Sequence, residues 1–276
     1  MFQATALQLL LGLALAVLVG FLGHRRGALT VGGALGAVLV GTATFGLGGW
    51  AWGALVVLFF VSSSALSRYH EGQKQQFAEK FSKGAQRDLA QALANGGAAA
   101  LLAAANALWP HPAWWLAFGG ALAAVNADTW ATELGVLSRA QPRLITTGRT
   151  VEAGTSGGIT WLGTGAALAG AALIGAGGGL FGLATADSLA GATALFVAVT
   201  LGGLLGSLFD SLLGATVQAI YYCPRCGKET ERHPLHTCGE ATTRLRGWAW
   251  LDNDWVNFLS STIGALVAAG VWRLLA

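Results

Sequence analysis

Eight runs of about 20 predominantly apolar residues, the length that crosses a bilayer as a helix, follow one another at 4–22, 28–47, 50–66, 88–108, 113–135, 155–181, 187–218 and 254–275. Lipid offers no hydrogen bonds, so every backbone N–H and C=O in such a run must be paired within the protein, which only helices and closed barrels achieve. Runs this long are helices. The expected fold is all-α, a polytopic integral membrane helical bundle of about eight transmembrane helices, with one transmembrane domain over 1–276. Composition agrees: charged residues make up 11% of the chain, less than half of the roughly 25% usual in soluble domains. No soluble domain large enough to act alone remains. The first run lacks a basic leader and a small-residue cleavage site and is followed directly by "GHRRG", so it reads as a retained helix and not as a signal peptide.

Short cytoplasmic loops carry an excess of Lys and Arg. If the first run crosses from outside to inside, the inner loops hold Arg25 and Arg26, then Arg68, Lys74, Lys80, Lys83 and Arg87. Arg139, Arg143 and Arg149 follow on that side, and then Arg225, Lys228, Arg232, Arg244 and Arg246, which makes 15 of the 16 basic residues. This reading gives a multi-pass protein of the cell (inner) membrane with both termini outside. The net charge of +3 is then a topology signal, and no nucleic acid is expected as a partner. Membrane lipids are. Residues 67–87 read either as an amphipathic segment in the inner interface, through Tyr69, Phe77 and Phe81, or as a solvated loop.

The same topology brings polar residues of several segments to one depth. Asp88 and Asn95 ("RDLAQALANGG") begin the fourth run from the inside, and Asn126, Asp128, Thr129 and Glu133 ("VNADTWATELG") fall in the inner half of the fifth. Ser207, Asp210 and Ser211 ("GSLFDSLLGA") lie toward the inner end of the seventh, and "LDNDWVN" opens the eighth with Asp252, Asn253, Asp254 and Asn257. A carboxylate in hydrocarbon is costly enough that it lines a cavity, pairs or binds an ion. Asn126, Thr129 and Glu133 share a helix face, with Asp128 offset from it, and Asn253 and Asn257 form another i, i+4 pair. Carboxylates with amides and hydroxyls are hard oxygen ligands of the kind Mg²⁺ accepts. His and Cys are absent from these helices. The candidate Mg²⁺ ligands are Asp128, Glu133 and Asp210.

Anion-binding chemistry lies beside them in "PRLITTGRTVEAGTSGG", residues 142–158. Arg143 and Arg149 flank Thr146 and Thr147, and Gly154, Thr155, Ser156, Gly157 and Gly158 lead into the sixth run. Glycines permit close backbone approach, a helix start attracts phosphate, and arginines bind it in bidentate fashion. Alone, "GTSGG" reads equally as a helix cap, and it is not a Walker A loop. Beside two arginines and facing carboxylates it reads as a polyphosphate cradle. Metal-assisted phosphoryl transfer, which is mostly positioning and charge neutralisation, follows as the expected chemistry, with a lipid-like acceptor.

"CPRCGKETERHPLHTCGE" supplies Cys223, Cys226, His236 and Cys238 as C-x2-C-x9-H-x-C, with His233 as an alternative nitrogen ligand. This is the chemistry of a structural Zn²⁺ in a cytoplasmic insert over 221–247. A closed site of four protein ligands folds its loop and leaves no open position for catalysis.

At "NADTWATELG", "PRLITTGRTVEAGTSGG", "GSLFDSLLGAT" and "LDNDWVN" the sequence resembles the membrane family, first catalogued as a domain of unknown function, that contains the phytyl-phosphate kinases of plants and cyanobacteria and the transmembrane-protein-19-like proteins of animals. The resemblance implies an inner-leaflet kinase that converts an isoprenyl monophosphate, such as phytyl or geranylgeranyl phosphate, to the diphosphate with a nucleoside triphosphate, CTP first among them. It implies that Asp128 and Glu133, with Asn126 in support, hold Mg²⁺ on the nucleotide, and that Asp210 and Asp254 complete a second metal site or orient the acceptor. Arg143, Arg149 and the 154–158 backbone would hold the triphosphate. Thr129, Thr146, Thr147, Ser211, Asn253 and Asn257 would serve nucleotide or phosphate binding, and Asp88 and Asn95 the lipid substrate. The rival expectations are a cytidylyltransferase making a CDP-lipid, a secondary transporter, and a non-enzymatic membrane scaffold.

Overall fold

The computed structural model describes residues 6–74, 77, 79–81, 86–183 and 189–275. Among them eight long helices run up and down: α1 (Ala6–Arg25), α2 (Val31–Ala43), α3 (Trp50–Arg68), α5 (Leu89–Leu108), α6 (Pro112–Gly135), α7 (Trp161–Leu183), α8 (Leu189–Thr216) and α9 (Asn253–Leu275). A single turn, α4 (Glu71–Lys74), stands between α3 and α5, and α2 ends in a wide π turn over Thr44–Gly48. The all-α membrane bundle is therefore as the apolar runs predict. Six of the helices are long and apolar enough to cross a membrane by length and composition alone, so a count of eight spans is approximate. The two others, α5 and α6, are diluted by alanine, glycine and polar residues, and α6 lies at the centre, packed against α3, α5, α7, α8 and α9. Its run Leu116–Ala127 is continuously buried.

One boundary differs in kind. The sixth run was expected to be helical from 155, but α7 begins at Trp161. Gly158–Ile159 (β2) instead pairs antiparallel with Arg143–Leu144 (β1). The hairpin takes up the backbone groups of this stretch, and Thr160 then caps the helix by accepting from Gly163 N at 2.9 Å. Of the segment read as amphipathic, residues 75, 76, 78 and 82–85 lie outside the described residues. The remainder turns Lys74 and Phe81 inward, toward the cavity described below.

Helices associate in lipid through close packing of small residues, and α6, α8 and α9 do so at one level. A Cβ on Gly202 would lie 2.6 Å from the Gly264 carbonyl oxygen, and one on Gly264 would lie 2.6 Å from that of Gly120. This contact sets depth. Since α6 and α8 run in the same direction, Asp128 and Asp210, each eight residues beyond its glycine, stand about 12 Å further along in one layer. On the other side of that glycine level the core is apolar, with Trp52, Leu55, Phe118, Leu122 and Ile174 at its heart.

Aromatic residues gather at both ends of the bundle, as they do at membrane interfaces. Trp161, Trp248, Trp250 and Trp255 are exposed at the end bearing the hairpins, and Trp50 and Trp109 at the other. Beyond α8, β3 (Ile220–Cys223) is flanked antiparallel by β4 (Lys228–Thr230) and β5 (Thr243–Arg246), in the order β4-β3-β5.

Candidate active site

The polar layer opens into a cavity of about 520 Å³ at the hairpin end of the bundle. From α6 it receives Asp128, Thr129 and Glu133, from α8 Ser207, Asp210 and Ser211, and from α9 Asn253 and Asn257. Asn95 comes from α5, and the loop Gly154–Gly158 forms another wall. The structure thus brings together fourteen of the residues singled out in the sequence, counting Ser207. It also adds residues that sequence reasoning missed: Ser67, Glu71, Lys74, Arg87, Gln91, Gln218 and Glu231.

The added residues change the charge pattern. Glu133 is already engaged, since Ser67 Oγ donates to its Oε1 at 2.6 Å and Lys74 Nζ pairs with its Oε2 at 2.6 Å. Lys74 also donates to Leu66 O at 2.6 Å. Arg87, wedged over the rings of Phe59 and Phe60 at 5.6 and 5.8 Å, donates to Ser64 Oγ at 3.3 Å and lies within electrostatic reach of Glu133. The lining therefore carries five carboxylates, Glu71, Asp128, Glu133, Asp210 and Glu231, against two basic side chains, Lys74 and Arg87. Asp128, Asp210 and Glu231 are close enough to repel one another. Asp210 Oδ2 and Asn95 Oδ1 are buried without a hydrogen-bond partner among the described residues.

Several expected site residues stand elsewhere. Asn126 is fully buried outside the cavity: its Oδ1 accepts from Ser62 Oγ and Ser63 Oγ at 3.1 Å each, and its Nδ2 donates to Gly170 O at 2.8 Å. Arg143, Arg149, Thr146 and Thr147 belong to the β1–β2 hairpin and do not line the cavity; Arg143 Nη1 donates instead to Gly148 O at 3.0 Å. Asp88 caps α5 in a reciprocal pair with Gln91. Asp252 accepts from Trp255 N at 3.1 Å, and Asp254, in the first turn of α9, is not part of the lining. The cradle reading of "GTSGG" also changes. Its wall is a looped backbone with positive φ at Gly154 and Gly157, not the start of a helix.

Gly157 is where that loop meets the bundle. Its φ of 82° favours glycine, and a Cβ there would strike the backbone nitrogen of Ala215 on α8. The loop is held from above as well. Lys80 Nζ pairs with Glu152 Oε2 at 2.7 Å and keeps that carboxyl below its ordinary range, while Ser156 Oγ donates to Glu231 at 2.7 Å.

Cys223, Cys226, His236 and Cys238 offer ligand atoms within 4.8 Å of one another. Cys223 and Cys238 Sγ are 3.6 Å apart, and His236 Nδ1 is 3.5 Å from Cys226 Sγ and 3.3 Å from Cys238 Sγ. Ligands on a tetrahedral zinc lie about 3.5–3.8 Å apart, as bond lengths near 2.1–2.3 Å require, so the donors and their spacing fit that ion. His236 is the nitrogen in the set. His233 stacks on Tyr221 with ring centroids 4.4 Å apart. A hydrogen bond with His236 brings the Cys238 thiol down to about 6, while hydrogen bonding with Cys238 and burial push Cys226 up to about 11.

Comparison with known proteins finds relatives over most of the length. The chain is 35% identical over 271 residues to Protein PGR of Arabidopsis thaliana, covering 92% of each. It is 33% identical over 183 residues to an uncharacterized membrane protein of Methanocaldococcus jannaschii, 66% of this chain and 72% of that one. A membrane protein of Synechocystis is 28% identical over 228 residues, 81% and 74% of the two chains. No solved structure matches. Residues 14–265 match the family model described as integral membrane protein DUF92, and the chain belongs to that family of multi-pass membrane proteins.

Proposed function

We propose that this chain is a membrane kinase, transferring the terminal phosphoryl group of a nucleoside triphosphate, CTP by the family resemblance, to an isoprenyl monophosphate such as phytyl or geranylgeranyl phosphate. The observation that carries this reading is the charge of the cavity, five carboxylates against two basic side chains beside a glycine-bearing loop. Carboxylates in excess around one cavity at membrane depth need a counter-charge, and hard oxygen donors of this kind suit Mg²⁺, an ion commonly shared with phosphate oxygens. An ion held there would offset the negative charge of the nucleotide. Asp128 and Asp210 are the residues to hold it. The Thr155 hydroxyl and backbone N–H groups of the 154–158 loop would provide donors for the triphosphate, the Ser156 hydroxyl being taken by Glu231, and Lys74 and Arg87 supply the positive charge that draws electrons from the transferred group.

The acceptor's phosphate oxygen attacks the γ-phosphorus while the bond from that phosphorus to the β,γ-bridging oxygen breaks, releasing the nucleoside diphosphate. A phosphate monoester is already anionic near neutral pH, so no strong general base is needed. The packed apolar core around Phe118 and Leu122 favours an enzyme cavity closed at one end over a transport path, which would continue through the bilayer. The basic residues at the cavity end favour a cytoplasmic site. The Cys/His hairpin, in this reading, holds a structural zinc.

The test is purified protein with Mg²⁺, labelled CTP or ATP and a panel of prenyl monophosphates, with products separated by chromatography. Formation of prenyl diphosphate and nucleoside diphosphate is expected, and Asp128→Asn and Asp210→Asn should each abolish it in folded protein. Release of pyrophosphate with a CDP-lipid would replace the kinase by a cytidylyltransferase, and full activity in both variants would remove the assigned site.

A further inference from the structure

One carboxylate of the cavity comes from outside the membrane helices. Glu231 follows β4 on the Cys/His hairpin, yet it lines the same cavity as Asp128 and Asp210. Among the contacts that place it, Ser156 Oγ donates to Oε1 at 2.7 Å, Gln218 Nε2 donates to the same oxygen at 2.9 Å, and its own N–H donates to Lys80 O at 2.9 Å. Of the two other carboxylates in the lining, Glu133 has both oxygens engaged by Ser67 and Lys74, and Glu71 is exposed. An independent sign of a ligand is Asp210 Oδ2, buried in this cavity wall with no hydrogen-bond partner among the described residues. A buried carboxyl oxygen beside two further carboxyl groups has a physical reason to be there if a cation sits among them.

Glu231 is also tied to the cysteine cluster by chain geometry. It lies five residues after Cys226 and five before His236, so both flanks are fixed when the four donors converge. The strand leading to it is in register with β3, Cys223 opposite Lys228 and Tyr221 opposite Thr230. Lys228 pairs with Glu79, and Thr230 Oγ1 donates to Glu79 O at 2.8 Å, which binds the hairpin to the segment lying over the cavity.

We infer that Glu231, with Asp128 and Asp210, forms a divalent-cation site, and that a metal held by Cys223, Cys226, His236 and Cys238 acts at a distance as a positioning element for it. This rests on the reading of the cavity as one that takes a divalent cation. The hairpin is then a detachable arm of the site, contributing a ligand that the membrane helices alone do not provide.

The test needs no nucleotide. Mn²⁺, which shares the oxygen preference of Mg²⁺, is titrated into the purified full chain in detergent, and binding is read by electron paramagnetic resonance. The native chain should show a Mn²⁺ site that Glu231→Gln weakens by about 10- to 100-fold. Glu229→Gln, the same charge change on the exposed neighbour in β4, should leave it as in the native chain. Retained zinc and an unchanged melting temperature verify that the Glu231 variant is folded; Glu231→Asp, which withdraws the carboxylate by one methylene, is the second variant, and it should also weaken binding. Cys226→Ser should lose zinc and weaken Mn²⁺ binding together. If that variant does not fold, zinc is stripped from the native chain with a chelator, which is dialysed away before the titration. Native Mn²⁺ affinity in Glu231→Gln, or no Mn²⁺ site in the native chain, overturns the proposal, and undiminished Mn²⁺ affinity in zinc-free protein overturns the positioning role. A chain that binds Mn²⁺ through Glu231 but transfers no phosphoryl group would sink the kinase reading alone.

Discussion

Asn126 joins three helices from one side chain, taking hydroxyl hydrogens from Ser62 and Ser63 on α3 and giving an amide hydrogen to Gly170 on α7. Interhelical hydrogen bonds in membrane proteins contribute about 0.6 kcal/mol each on average. Asn126→Ala should therefore lower stability by about 1–2 kcal/mol, read by unfolding in detergent, while the melting-temperature gain on adding Mn²⁺ persists. Lys74 has a different role. Its partner Glu133 and the Leu66 carbonyl hold it at the cavity wall, so Lys74→Met removes a cation from the site and strands a partly buried carboxylate. Adding Glu133→Gln should restore the stability lost to Lys74→Met but not the prenyl-phosphate transfer, expected to fall about 100-fold, as when one donor to developing charge is removed. Recovery of transfer in the double variant would make Lys74 a structural partner only. Both residues were hard to assign from sequence for a physical reason. An amide at the right helical spacing looks the same whether it faces a ligand or two serines, and Lys74 sits in a loop where basic charge already has an explanation as a topology signal.

Among the elements, the β1–β2 hairpin shows how pairing overrides local pattern. "GTSGG" followed by a long apolar run has the pattern of a helix start, but Gly158–Ile159 finds a strand partner fifteen residues earlier, and that partner is invisible to a local reading. Two glycines of this unit separate backbone strain from contact with the bundle. Gly148 has a φ of 68° with open space around a Cβ, whereas at Gly157 the φ is 82° and a Cβ would meet Ala215. Gly148→Ala should cost only the left-handed conformation, about 1–2 kcal/mol. Gly157→Ala must in addition push the loop away from α8, and the KM for nucleotide should rise far more than in Gly148→Ala. Equal KM values in the two variants would mean that the loop does not touch the nucleotide. The cysteine hairpin was legible as a ligand set, because C-x2-C and H-x-C spacing speaks for itself. What its sequence did not reveal was Glu231, whose delivery into the cavity depends on where the hairpin folds back over α8.

For the whole molecule, the layer of carboxylates was legible because depth in a bilayer can be counted along a helix: Asp128 and Asp210 sit at matching offsets from the glycines where α6 and α8 meet Gly264. Which residues turn inward depended on helix rotation, and there the assignments of Asp254 and Asn126 departed from the structure. The orientation of the bundle follows from the same depth argument and can be measured. Exposed tryptophans mark two interfaces, Trp161, Trp248, Trp250 and Trp255 at the cavity end and Trp50 and Trp109 at the other, and the basic loops crowd to the cavity end. Arg139 lies exposed beyond α6 on that end, and His111 lies exposed before it on the opposite end. With the native thiols protected by zinc, a membrane-impermeant thiol reagent should label His111→Cys in intact cells and Arg139→Cys only in inverted vesicles. The reverse pattern would put the cavity outside the cell, where nucleoside triphosphates are scarce, and the kinase reading would fail with it.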